Sequence, residues 1–186
     1  MNFKCGLNLF LLVFFLGTAP LARALDFSVL GAATVSNYIF SPPLTISNGT
    51  SFGFGATVGI DLVPTLSLET GFLFLPTAFS QVGIPTTSFT YGYLDIPLLL
   101  RFSLIQLFSI NFGPYYGFAT SSTGNSATND YGLMMGVSAR FPVLPLLKIR
   151  VDAMYEFGLA NINSSLFNTQ NSRNFIVLGG LMLDLW

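Results

Sequence analysis

Histidine is absent from the 186 residues, charge amounts to only 8%, and Cys5 is the one cysteine. Without an imidazole, the commonest general base, metal ligand and physiological-pH switch is missing. A lone cysteine forms no internal disulfide, so the fold must hold by packing and hydrogen bonding. Seven Lys and Arg against eight Asp and Glu give a formal charge of −1, which excludes a nucleic-acid binder working through a basic face. There is no Walker-type loop, dinucleotide fingerprint or metal-ligand spacing. No cofactor and no catalytic residues are therefore expected. Asn48-Gly49-Thr50 and Asn163-Ser164-Ser165 match the glycosylation pattern, a match too short to carry function.

Long apolar runs are also scarce, although 52% of the chain is apolar. One lies between Leu7 and Leu16, after a short basic start and before the small-x-small site Ala22-Arg23-Ala24. This is the tripartite pattern of a secretory signal peptide, expected over residues 1–24 with cleavage after Ala24. Its apolar stretch falls short of the roughly 20 residues a spanning helix needs. Removing 24 of 186 residues leaves 162, with no cysteine, five basic and eight acidic groups. The second candidate run, Leu94 to Ile110, is interrupted by Asp95, Pro97, Arg101 and Gln106.

That second run alternates. Leu94, Ile96, Leu98, Leu100 and Phe102 share one parity, and Asp95 and Arg101 the other, the pattern of a strand with two unlike faces. Similar alternation recurs eight times. Phe52, Phe54, Ala56, Val58, Ile60 and Leu62 oppose Gly53, Gly55, Thr57, Gly59 and Asp61; Phe108, Ile110, Phe112, Tyr116 and Phe118 oppose Ser109, Asn111, Gly113, Tyr115 and Gly117. The segments begin near residues 25, 52, 66, 91, 108, 131, 147 and 175. Short connections follow the second, fourth and sixth segments (Val63 to Thr65, Ser103 to Gln106, Pro142 to Pro145). Longer ones, at 37–51, 77–90, 119–129 and 160–172, carry no charge. Even strand number, with short turns on one rim and long loops on the other, is the outer-membrane barrel pattern. The expected fold is all-β: an eight-stranded antiparallel up-and-down transmembrane β-barrel over residues 25–186.

Residue identity decides which face is outside. With the apolar face inward, as in a soluble ligand-binding barrel, the surface would be Gly, Ser, Thr and Asn with uncharged loops, which solvate poorly. With it outward, the large apolar residues meet lipid and the small and charged ones fill a narrow polar interior. Aromatics then gather in two rows. Phe54, Phe74, Tyr116, Phe118, Tyr131 and Phe157 lie toward the long loops, and Phe27, Phe102, Phe108 and Phe141 toward the short turns. Pro97 and Pro114 each remove a ladder donor, so a bulge or kink is expected at each. Ile39, Phe40, Leu44, Ile46, Phe79, Val82 and Ile84 are expected to pack the long loops against one another, with contact to lipid headgroups or a partner as the alternative.

Twelve of the thirteen charges after residue 24 fall on the inward parity: Asp26, Asp61, Glu69, Asp95, Arg101, Asp130, Arg140, Lys148, Arg150, Asp152, Glu156 and Asp184. Arg173 is the exception. Eight strands enclose a space that side chains can just fill, where unpaired charge is costly, so these groups are expected to pair as a salt-bridged plug. Arg101, Arg140, Lys148 and Arg150 count to a similar height above the short turns, and Glu69, Asp61, Asp152 and Asp184 are their expected partners. Asp95 and Arg101, six residues apart on one strand, cannot reach each other. Asp152 and Glu156 read as members of this network rather than as an acid/base pair. The alternative role for the same charges is a narrow solute or ion channel.

Tyr93-Leu94-Asp95-Ile96-Pro97-Leu98-Leu99-Leu100-Arg101-Phe102 resembles a strand of the PorT-like, OmpA-like outer-membrane β-barrel proteins of Gram-negative bacteria. The remainder resembles them in strand spacing and Gly-rich alternation. The resemblance implies an outer-membrane location and no catalytic residues. Trp186 departs from it, following Leu181, Leu183 and Leu185 on the opposite parity. Expected partners are outer-membrane lipids, the barrel-assembly machinery and periplasmic chaperones during biogenesis, and an unknown extracellular or periplasmic partner.

Overall fold

The computed structural model describes residues 25–41, 46–81, 87–105, 107–123, 128–160 and 169–185. The segment 1–24, with its expected cleavage site, and Trp186, Leu44, Val82 and Ile84 lie outside these residues. The eight strands are β1 (Leu25–Ser41), β2 (Ile46–Val63), β3 (Leu66–Gln81), β4 (Thr87–Ser103), β5 (Phe108–Thr123), β6 (Asp130–Leu144), β7 (Leu147–Gly158) and β8 (Thr169–Asp184). Each pairs antiparallel with the next, and β8 returns to β1 from Asp26↔Asp184 to Ser41↔Thr169, closing the barrel. Closure removes the free edges that an open sheet would expose.

The alternation read from the sequence becomes inside and outside. Along β1, Asp26, Ser28, Leu30, Ala32, Thr34, Ser36 and Tyr38 are buried, while Leu25, Phe27, Val29 and Val35 are exposed. The exposed set continues around the barrel through Ile96, Leu98, Phe112, Met135, Val137, Val151, Val177 and Leu181. Aromatic side chains meet on the long-loop side of this belt, with Phe54 and Phe74 at 5.6 Å and Tyr116 edge-on to Phe118 at 4.8 Å between centroids. Arg173, the outward charge, lies 3.5 Å from the Phe157 ring centroid and donates from Nη1 to the Gly158 and Ser172 carbonyls. Its charge is thus held by a π face and two carbonyl dipoles.

Three expectations are corrected. The strands run beyond their expected ends, so β1 and β2 take up most of 37–51, and β3 and β4 most of 77–90. Ile39, Phe40, Ile46 and Phe79 are accordingly strand residues; Ile39 is exposed rather than packed against another loop. Tyr38, counted with a loop, is a buried inward residue of β1. The third short turn is Pro145-Leu146 alone, with Pro142 to Leu144 still in β6.

The prolines produce gaps rather than bulges. The β3–β4 ladder passes from Thr70↔Leu98 to Leu73↔Asp95 with register unchanged, and the Thr70 hydroxyl donates to the Pro97 carbonyl at 2.8 Å. Pro114 sits opposite a similar gap in β4–β5 and pairs with Leu133 of β6 in continuous register. The register shift in β4–β5 falls instead at Gly92/Tyr93. A missing donor costs one rung and need not displace a strand whose other face remains paired.

The closing seam separates two adjacent glycines. A Cβ on Gly180 would land on the Val29 carbonyl oxygen, whereas one on Gly179 meets nothing within 4 Å. Gly180→Ala is expected to lower unfolding stability by about 1–3 kcal/mol through displacement of β8 from β1. Gly179→Ala should leave it unchanged in the same urea titration, followed by loss of heat-modifiable gel migration.

Candidate functional site in the barrel lumen

The inward residues form three tiers. Nearest the short turns lies an ionic tier. Glu69 on β3 is held by two guanidiniums: Arg150 Nη1 and Nη2 donate to its two oxygens at 2.7 and 2.8 Å, and Arg101 Nη2 forms an ion pair with Oε2. Arg101 also bonds Asp26 at 2.7 Å, and Arg150 bonds Asp152 through Nε at 2.9 and 3.0 Å. Arg150 further donates to the hydroxyls of Ser28 and Thr57. Arg101 and Arg150 are 0% and 1% exposed, so these bonds replace water rather than add to it.

A glycine makes room for this arrangement. Gly59 sits against the Asp26 carboxylate, where its Cβ would fall 2.5 Å from Oδ2. At the rim Lys148 pairs with Asp184, and both are partly exposed. The Ser67 hydroxyl donates to Asp61.

Above this lies an apolar tier. Leu30, Leu73, Leu75, Leu99, Met134, Met154, Ile176 and Leu178 point inward and are each 3% exposed or less, forming one cluster with Ala32 and Tyr115. This corrects the expectation of a polar interior. The unbranched methionine side chains suit an irregular space between the strands.

The third tier, toward the long loops, is acidic and phenolic. Asp95, Asp130 and Glu156 are buried, together with Tyr38, Tyr91, Tyr93 and Tyr115. Asp130 accepts from Tyr115 at 3.0 Å, from Ser172 at 2.5 Å and from the Tyr131 amide at 2.8 Å. Glu156 accepts from Asn174 at 2.8 Å. The Asp95 carboxylate occupies the space that a Cβ on Gly117 would need.

The expected salt-bridged plug is therefore corrected residue by residue. Glu69, Arg101, Arg150 and Asp152 come together, with Asp26 as an acidic member that was not among the expected partners. Lys148 and Asp184 pair at the rim. Among the described residues Asp95 and Glu156 have no cation within ion-pair distance, nor has Asp130, and Arg140 and Asp61 likewise have no ion pair. The reason is register: the inward basic side chains all arise near the short turns, whereas hydroxyl and amide donors fill the upper tier. Tyr91, Tyr93 and Tyr115 share the inward parity of Asp95 and Asn111, a signal present in the sequence. Leu30, Leu73 and Leu178 carry no such signal, because an inward leucine looks like any other leucine.

Closed topology, an apolar exterior and a filled lumen define the class: an eight-stranded up-and-down barrel of the outer-membrane type. Solved structures share that fold. Ail, the attachment invasion locus protein of Yersinia pestis, crystallised in complex with the heparin analogue sucrose octasulfate, is similar with a TM-score of 0.51 and 14% identity, over 86% of this chain and 99% of Ail. Neisserial surface protein A is similar at 0.52 and 14%, over 86% and 97%. The outer membrane protein AlkL, solved in DMPC lipid bilayers, is similar at 0.50 and 10%, over 85% and 90%. At such identities the likeness is one of fold. No protein-family profile and no curated protein matches the chain.

The ionic tier and the rim pair differ in burial, and so in expected worth. Arg150→Met leaves the buried carboxylate of Asp152 without its cation and should cost about 3–5 kcal/mol. Lys148→Met at the 28% exposed rim should cost about 0–1 kcal/mol. Equilibrium urea unfolding in lipid vesicles measures both.

Proposed function

We propose that this chain is a small outer-membrane β-barrel of a Gram-negative bacterium, with a structural or interaction role and a lumen closed to solutes. Residues 1–24 are the export signal, and the chain is of the PorT-like, OmpA-like kind that its fourth strand resembles. Outer-membrane lipids cover the apolar belt, and the barrel-assembly machinery and periplasmic chaperones deliver the chain. The short-turn rim faces the periplasm and the extended long-loop rim faces outward, where an extracellular partner would dock. No catalysis is assigned, since histidine is absent.

The observation supporting closure is the apolar tier. Eight inward Leu, Met and Ile side chains, each at 3% exposure or below, fill the middle of the lumen between the two polar tiers. A continuous path for an ion would have to cross this layer, and an unsolvated charge in such surroundings costs several kcal/mol. The observation supporting the bilayer is the belt itself, since an exposed apolar surface this extensive is a liability in water.

Purified, refolded protein in a planar bilayer is expected to give no resolved single-channel steps; regular steps from the wild type would establish a channel instead. The lipid-facing assignment has its own test. Val137, 55% exposed, lies between the aromatic rows at Tyr131 and Phe141 on β6. Val137→Arg should lower stability in lipid vesicles by about 2–4 kcal/mol. An unchanged urea midpoint would show that this face does not meet lipid.

A further inference from the structure

The short-turn mouth of the barrel holds a cavity of about 540 Å³, lined by Asp61, Ser103, Arg140 and Lys148 together with apolar turn residues such as Leu104 and Ile105. Its size falls in the range of small-molecule sites. Two of its charges are left over from the ionic tier.

Arg140 is 8% exposed and has no carboxylate within ion-pair distance among the described residues. Its Nη2 donates to the hydroxyls of Ser103 and Ser109 at 3.2 and 3.0 Å, and its Nε has no acceptor. Directly across the β6–β7 ladder its partner is Arg150, and like charges placed opposite each other repel. Arg150 is paired directly with Glu69 and Asp152; Arg140 meets Asp26, Asp61 and Asp184 only from beyond ion-pair distance. Asp61, on β2, is the complementary case, accepting from Ser67 and meeting no Lys or Arg within ion-pair distance. The third charge of the lining, Lys148, is already paired with Asp184.

A guanidinium and a carboxylate, each without a direct ion pair among the described residues, thus line one cavity. A simple anion would satisfy Arg140 and be repelled by Asp61, and a simple cation the reverse. We propose that this mouth is a binding site for a small zwitterion carrying an oxyanion for Arg140 and an ammonium for Asp61, the chemistry of an ethanolamine phosphodiester. Ser103 and Ser109 pre-orient the guanidinium toward the oxyanion, and Leu104 and Ile105 offer an apolar shoulder to whatever the headgroup carries. The apolar tier lies above the site. The site stands on the lumen geometry alone and does not depend on whether the barrel conducts.

The test uses the full barrel refolded in dodecyl maltoside, an uncharged detergent, with glycerophosphoethanolamine as probe and glycerophosphoglycerol, which lacks the ammonium, as comparison. Calorimetry should show saturable binding of the first, about tenfold tighter than the second, the scale of one charge-assisted contact. Arg140→Gln should abolish binding of both, and Asp61→Asn should erase the preference between them. Arg140→Lys, which keeps the cation, covers the case in which the neutral variant fails to fold, and should weaken binding while retaining the preference; heat-modifiable migration verifies folding of each. Nanodiscs then separate the sources. Probe binding in phosphatidylglycerol discs that vanishes when phosphatidylethanolamine is included identifies a lipid headgroup as the occupant, and binding in both identifies a soluble zwitterion. Absence of saturable binding by the wild type, or binding that survives Arg140→Gln in a folded barrel, overturns the site.

Discussion

The return of β8 to β1 is the constraint on which the rest depends. Once Asp26↔Asp184 and Ser41↔Thr169 are paired, no strand has a free edge, and between the register shifts parity assigns each residue to the lumen or the exterior. A one-residue slip along a whole strand would turn it inside out, whereas a local shift such as that at Gly92/Tyr93 is absorbed as an irregularity. The chemical contrast between the two parities is therefore also the energy that selects the register. An inverted β7 would put Arg150, Asp152 and Glu156 outside with Val151, Tyr155 and Phe157 in the lumen, exchanging satisfied charges for exposed ones across the whole strand.

Within that constraint, the lumen is a core in which polar and apolar layers alternate by height. Glu69 joins β3 to β4 through Arg101 and to β7 through Arg150, and Arg101 reaches β1 through Asp26. Few apolar contacts could tie four strands across the interior with such directional demands. The apolar tier above adds packing without direction, and the Tyr–carboxylate tier adds direction again. Buried ion pairs contribute little net stability against well-packed apolar alternatives. Their distribution here is better understood as setting which strand faces which, in a lumen where many leucine arrangements would be nearly equivalent.

Strand number, hairpin order, the outward face and the inward placement of twelve charges were legible in the sequence, because each is a consequence of period two. Partners were less so. Arg101 and Asp26 are 75 residues apart in the chain, and their meeting depends on tilt and stagger, which alternation does not encode. Strand ends were misjudged where Ser, Thr and Asn continue the ladder beyond the apolar belt, as around Tyr38. Above the belt there is no apolar face to mark the period. Pro97 and Pro114 misled in the opposite sense, since a lost donor is visible in sequence but the tolerance of neighbouring rungs is not.

The tiering also bears on what a barrel this narrow can do. A lumen lined by charge from end to end would be hydrated along its length. One sealed only by ion pairs would open whenever those pairs exchanged with water. Placing Leu30, Leu73, Leu99, Met134, Met154 and Ile176 between the polar tiers separates the two mouths electrically, so that each can carry its own charge pattern. The upper mouth is acidic and phenolic, whereas the lower has both signs. The lumen thus presents two chemically unlike mouths with a buried apolar layer between them.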